Sequence, residues 1–406
     1  MSSLAKMALP VLKPAMPYLA RLPTSLLTLV PSAAFHFTSH PSPNPWTYFL
    51  DPLTHPLHAP MLFTAFMIPL FYFMGLISGN VGWVDRSWPF YTPLCSYMIL
   101  LWAFLNPSAG VYAHNLPRLV LMMTLQLIWS TRLFGHALKR DFYDLTSEDY
   151  RYTQFKKLVP NWLFQLVHIF VIALAQPLLL FALALPFHAV LVHPPSELQS
   201  GAMALPYSAI ERYLPARFQT APGSTPVLHL GDVALTLVAL TILYIEAKAD
   251  RQMYAYQTSK HSSNGETTVS QPRHSTRIGP KPAPFPKSHH PGFITSGLFA
   301  WTRHPNFAAE QLFWVSQALF VVVAGNSSQV TRSGWLVGSI FGPCFCLSLL
   351  FCASTFLTEW ITERKYPLYH SYRRLVGQFL PQETFLCWLW STVTGSSAEH
   401  RRALKR

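Results

Sequence analysis

Apolar and polar positions in this 406-residue chain fall into long alternating blocks. A helix needs roughly 20 apolar residues to cross the hydrocarbon core of a bilayer. Seven stretches come near that size, at 58–78, 88–105, 117–136, 161–187, 229–248, 305–325 and 334–357. The fourth contains Pro177 and Pro186 and is expected to kink or end early, because proline removes a helical N–H and crowds the turn before it. The seventh contains Pro343. The run Phe385–Trp390 is apolar but too short to span and is expected on a surface. The pattern predicts an all-α, polytopic integral membrane protein with about seven transmembrane helices.

Composition supports that class. Half of the residues are hydrophobic and 12% are charged, against about 25% charged in soluble domains. The formal charge of +13 could suit nucleic acid, but the basic residues lie between apolar spans and no nucleic-acid motif accompanies them. Membrane topology and phosphate binding account for them better. Loop 137–160 carries Lys139, Arg140, Arg151, Lys156 and Lys157. Loop 249–304 is basic, as is the tail from Arg364 onward, whereas 188–228 and 326–333 are poor in Lys and Arg. The basic loops and the C-terminus are therefore expected in the cytosol. A glycosylation sequon, Asn326-Ser327-Ser328, falls on the opposite side.

This gives an expected organisation of an N-terminal extension at 1–57, a multi-helix membrane domain at 58–382 and a basic tail at 383–406. Within the membrane domain, 258–292 is rich in Ser, Pro, His and Lys and is expected to be a flexible cytosolic insertion. The five cysteines lack zinc spacing and are expected to act as small buried apolar residues. His289-His290 has no further ligand-type residues beside it, so no metal site is expected.

No Rossmann glycine fingerprint, P-loop or nucleophile elbow is present, so any ligand must be held by the helices and their cytosolic ends. Four polar clusters fall there. One is Asp85-Arg86, another runs from Trp129, Arg132 and His136 to Glu148-Asp149-Tyr150-Arg151-Tyr152, and a third is Glu246 with Asp250-Arg251-Gln252. The fourth runs from Gly297-Leu298-Phe299 through Arg303-His304-Pro305-Asn306-Phe307 to Glu310, and continues with Glu359, Glu363, Arg364, Tyr369 and Tyr372. Ionisable residues at the mouth or inside of an apolar helix are expensive and point to a site.

These residues resemble the steroid 5-alpha-reductase-like family, in its branch known as a domain of unknown function (DUF1295). Ala249-Asp250-Arg251-Gln252 with Tyr256 and Lys260 is similar to its Asp-Arg-Gln…Phe-Lys signature. Gly297-Leu298-Phe299…Arg303-His304-Pro305-Asn306-Phe307…Glu310 is similar to Gly-Leu-Trp…Arg-His-Pro-Asn-Tyr-x-Gly-Glu. The chain departs from that pattern at Phe307 and at Ala309, where Tyr and Gly are usual. The resemblance covers roughly residues 80–382 outside the insertions.

The resemblance implies an NADPH-dependent membrane reductase of an activated carbon–carbon double bond in a lipid-like substrate. Carried over by position, the cofactor-binding candidates are Asp250, Arg251, Trp301, Arg303, His304, Asn306, Glu310, Arg364, Tyr369 and Tyr372. Arginine forks suit phosphate oxygens, and Asn306 offers both a donor and an acceptor. A proton donor must accompany hydride addition, and the candidates are Tyr143, Glu148, Asp149 and Tyr152. The expected partners are a lipid-like substrate and membrane lipids, without nucleic acid, and the expected location is the endoplasmic reticulum. Two other readings stay open. One is an S-adenosylmethionine-dependent methyltransferase of the isoprenylcysteine carboxyl type, whose family also has an Arg-His-Pro helix entry. The other is a non-catalytic lipid-binding membrane protein.

Overall fold

The computed structural model describes residues 56–105, 116–145, 148–192, 204–206, 227–262, 289–324 and 340–405. Nearly all of the N-terminal extension, most of the insertion and the sequon lie outside the described residues. The described helices are α1 (His58–Ser78), α2 (Trp83–Leu105), α3 (Leu116–Lys139), α4 (Tyr150–Leu158), α5 (Asn161–Val167), α6 (Gln176–Ala182) and α7 (Leu185–Val192). They continue with α8 (Leu230–Ser262), α9 (Pro305–Ala324), α10 (Phe341–Lys365), α11 (Tyr369–Leu375), α12 (Pro381–Val393) and α13 (Ser397–Lys405). The non-helical pairing among the described residues is two three-residue strands, β1 (Ala204–Pro206) and β2 (Val227–His229), antiparallel with Leu205 opposite Leu228.

Six helical stretches are long and apolar enough to cross a membrane: His58–Ser78, Trp83–Leu105, Asn161–Leu191, Leu230–Lys260, Pro305–Ala324 and Phe341–Lys365. The protein is an all-helical polytopic membrane protein. The stretch expected at 117–136 does form a helix, α3, but it stands outside this set. Arg118, Gln126, Arg132 and His136 interrupt its apolar run, and Arg118 and Gln126 are buried. The last span starts at Phe341, with Pro343 in the first turn, where its missing N–H costs no bond.

The chain divides into two compact units. The first comprises residues 1–131, 158–239 and 314–346. In it α1 packs against α2 and against the π-helical stretch His168–Ala175 that joins α5 to α6. That widened turn precedes Pro177, whose ring would clash with a regular ladder, and the chain breaks again before Pro186. Gly75 is needed because a side chain there would strike the imidazole of His168. Thr92 donates to the carbonyl of Leu180 at 2.8 Å, tying α2 to α6. Arg118 and Asp232 form a bidentate pair at 2.7 and 2.9 Å with almost no exposure. A buried pair of this geometry is tolerated because each fork N–H meets a carboxylate oxygen.

The second unit comprises residues 132–157, 240–313 and 347–406. Every residue predicted for the site belongs to it. Its core is aromatic, with Phe293, Tyr369, Tyr372 and Val376 buried together. The cysteines depart from expectation in part: Cys95 and Cys344 are buried, but Cys346 and Cys352 are exposed on α10.

Candidate functional site

Three helices of the second unit each carry polar side chains one turn apart. They are Arg132 and His136 on α3, Glu246 and Asp250 on α8, and Asn306 and Glu310 on α9. Spacing of i, i+4 places each pair on one helical face, and the three faces meet. The guanidinium of Arg132 lies 2.6 Å from Glu246, 2.6 Å from Asp250 and 3.9 Å from Glu310. Asn306 Nδ2 donates to Asp250 Oδ1 at 3.2 Å, and His136 Nε2 stands 4.0 Å from the same oxygen. Three carboxyls thus face one guanidinium among side chains no more than 17% exposed. Arg132 Nε is buried without an acceptor, and Glu246 Oε2 without an N–H donor.

A second cluster centres on Glu359 of α10. Its carboxylate receives Arg303 at 2.6 Å, His304 at 2.9 Å and Arg373 at 3.3 Å, with the Tyr369 hydroxyl at 3.4 Å. Arg303 also donates to the carbonyls of Val376 and Arg373. The main chain follows: Arg303 N–H donates to Gly377 O at 2.9 Å, and His304 N–H to Gln378 O at 3.0 Å. Arg303 therefore holds the tail rather than offering an open fork to phosphate. Tyr369 and Tyr372 are structural in the same sense, since Tyr372 donates to Phe299 O at 2.5 Å. Burial pushes both tyrosine hydroxyls well above their usual range, and for Tyr369 the Glu359 carboxylate adds to the effect.

The turn at 297–304 is positioned from α8 as well. Gln252 accepts the Leu298 N–H at 3.0 Å, and Gly297 has φ +63° with Gln252 packed where a side chain would stand. Lys260 bonds the Gly292 carbonyl and the Tyr366 hydroxyl, and Tyr256 donates to His289 O at 3.1 Å. The Gln252, Tyr256 and Lys260 signature residues thus clamp this loop. Phe307, where Tyr was expected, packs edge-on against Phe351 at 4.8 Å.

The proton-donor candidates do not join the Arg132 cluster through any of these contacts. Glu148 is held by Lys156 at 2.7 and 2.9 Å. Asp149 receives the Arg151 backbone at 2.8 Å and its guanidinium at 2.9 and 3.0 Å, and Arg151 reaches Ser354 at 2.6 Å. Burial acts to raise the Asp149 carboxyl, but the Arg151 guanidinium and its bonds outweigh it and hold the group below the ordinary range. Tyr143 sets its ring edge-on to Phe134 at 5.3 Å, and Tyr152 is half-buried on α4. Among the remaining cofactor candidates, Arg251 and Arg364 are exposed, the latter stacked 3.6 Å over the Trp360 ring. Trp301 is 62% exposed.

Arg132, His136, Glu246 and Glu359 belong to these clusters although the family motifs do not point to them. Their signal was available in the chain: a polar pair at helical spacing inside an apolar run. The family described as "Protein of unknown function (DUF1295)" matches residues 71–205 and 208–376. An uncharacterised protein of Schizosaccharomyces pombe is 30% identical over 322 residues, which is 76% of this chain and 78% of that protein. No solved structure matches the chain.

Proposed function

Because the chain belongs to the DUF1295 family, we propose that it is an NADPH-dependent membrane oxidoreductase that reduces a carbon–carbon double bond of a lipid-like substrate. The observation that carries this reading is the hydrogen bond from Asn306 to Asp250. It joins the two motifs that resemble those of the steroid 5-alpha-reductase-like family. The residues fit the uncharged end of such a cofactor. Asn306 can donate to and accept from a carboxamide, and the unmet Arg132 Nε supplies a further donor. A phosphate would be repelled by three carboxyls, so the phosphates belong with the exposed Arg251 and Arg364.

The bound dinucleotide supplies a hydride. A dinucleotide held there by Asn306 would have the carboxyls of Glu246, Asp250 and Glu310 beside it, and they would favour positive charge in a site of low dielectric. The alkene gains that hydride at one carbon and a proton at the other. Asp149, held ionised by Arg151, is a poor source of that proton, which leaves Tyr143, Glu148 and Tyr152 as the candidates. Arg303 and Glu359 act as positioning residues, fixing the turn that leads into Asn306.

The same carboxyls would also suit the sulfonium of S-adenosylmethionine, which is the observation favouring a methyltransferase. Equilibrium binding to the detergent-purified protein separates the two. The expected result is saturable binding of NADPH, lost in Asn306→Ala, with none of S-adenosylmethionine. Binding of S-adenosylmethionine alone would replace the reductase reading by the methyltransferase. Binding of neither would leave a lipid-binding role.

A further inference from the structure

Helix α12 carries its polar side inward and its apolar side outward. Thr384, Cys387 and Ser391 fall at helical spacing on one face. Thr384 accepts from Gly377 N–H at 2.8 Å and donates to the Trp301 carbonyl, while Ser391 is buried. On the opposite face Phe385, Leu386, Leu389, Trp390 and Val393 are exposed, Trp390 by 68% and Val393 by 76%. In water this face would cost free energy in proportion to its area. At a bilayer surface it is stabilising, and tryptophan is favoured there.

Length and connectivity decide between crossing the bilayer and lying along it. The helix has 13 residues, or about 20 Å at the standard rise, short of the ~30 Å hydrocarbon core. Its first turn is fixed by Glu383, which accepts the N–H groups of Gln378 and Phe379 at 2.6 and 3.2 Å. Beyond its last turn the chain reverses at Gly395, φ +72°, and α13 returns to the same unit. There Leu404 packs on the Phe293–Tyr369–Tyr372 cluster, and His400 bonds Ser371 at 3.2 Å. Both ends of α12 are thus anchored in one body. The returning helix leaves Arg401 and Arg402 exposed.

We propose that α12 is an in-plane membrane-interface helix whose apolar face docks into the headgroup–acyl boundary, with Arg401 and Arg402 meeting anionic lipid headgroups. Charge complementarity selects an anionic bilayer over a neutral one. The chain has six helices long and apolar enough to cross a bilayer, so a bilayer is the apolar surface at hand.

Bromolipid quenching tests this on the full chain in nanodiscs. The signal is the tryptophan emission of the wild type minus that of Trp390→Phe, with an unchanged melting profile as the control for folding. Shallow-brominated chains are expected to quench this difference signal more than deep-brominated ones. Phosphatidylserine carrying the bromines is expected to quench it more than phosphatidylcholine at equal mole fraction, and Arg401→Glu/Arg402→Glu to abolish that preference. No quenching, or stronger quenching from the deep position, would overturn the in-plane placement. Absence of quenching together with an intermolecular cross-link at the cysteine of Leu389→Cys would assign the face to a second copy of the chain. Equal quenching by the two headgroups would overturn the anionic preference.

Discussion

At the scale of single residues, Arg132 stands at the centre of a cluster rich in carboxyls. It is the guanidinium within reach of Glu246, Asp250 and Glu310. Removing one partner of a buried ion pair typically costs about 3–5 kcal/mol, because the other charge is left unpaired. Arg132→Met should therefore lower the stability of the protein by about that much in a denaturation measurement. A double-mutant cycle with Asp250→Asn should recover part of the loss. Asn306→Leu loses one neutral-to-carboxylate hydrogen bond, worth on the order of 1.5–3 kcal/mol, so its stability effect should be the smaller of the two. If Arg132→Met proved neutral, the cluster would not be held by that charge.

At the scale of elements, the decisive piece is the turn ahead of α9. Gly297 sits at positive φ and has Gln252 packed against it. An alanine there meets both backbone strain, of order 1–3 kcal/mol, and a collision with the side chain that caps Leu298. Gly297→Ala should weaken the proposed NADPH binding without touching a cofactor contact, and limited proteolysis should report a loosened 289–304 segment. Wild-type protection in the variant would mean that the turn has room to adjust. Much of this was legible in the chain. The apolar blocks located the helices, and the prolines at 177 and 186 marked real interruptions. The motif around Arg303 located the turn. Two things were not legible. No local pattern could show that Arg118, at the start of the 117–136 stretch, is buried against an aspartate 114 residues away. The motif also could not show that Arg303 is committed to Glu359 and to backbone carbonyls, since those partners arrive from a distant stretch of chain.

At the scale of the whole molecule, stability should fall at both ends of the pH range, for different groups. Tyr369 and Tyr372 hold their protons more tightly when folded than the ordinary phenol near pH 10 does. Their contribution is complete below that value and is lost as pH rises past it, when the unfolded chain ionises and the folded one resists. Asp149 is the reverse case. Its folded value lies below the unfolded one, so its contribution is complete above about pH 4 and is lost as pH falls through the folded value. Unfolding curves measured across pH should show a flat middle for these groups. Tyr372→Phe should flatten the alkaline side while leaving the acid side unchanged. A further consequence concerns the order of synthesis. The amides of Arg303 and His304 are satisfied by Gly377 and Gln378, which follow them by more than seventy positions in the chain. While the ribosome is still translating that interval, the spans can insert but the turn before α9 has nothing to close on. A nascent chain therefore carries an incomplete site through its whole insertion. Closure of the turn therefore waits until Gly377 and Gln378 have been translated.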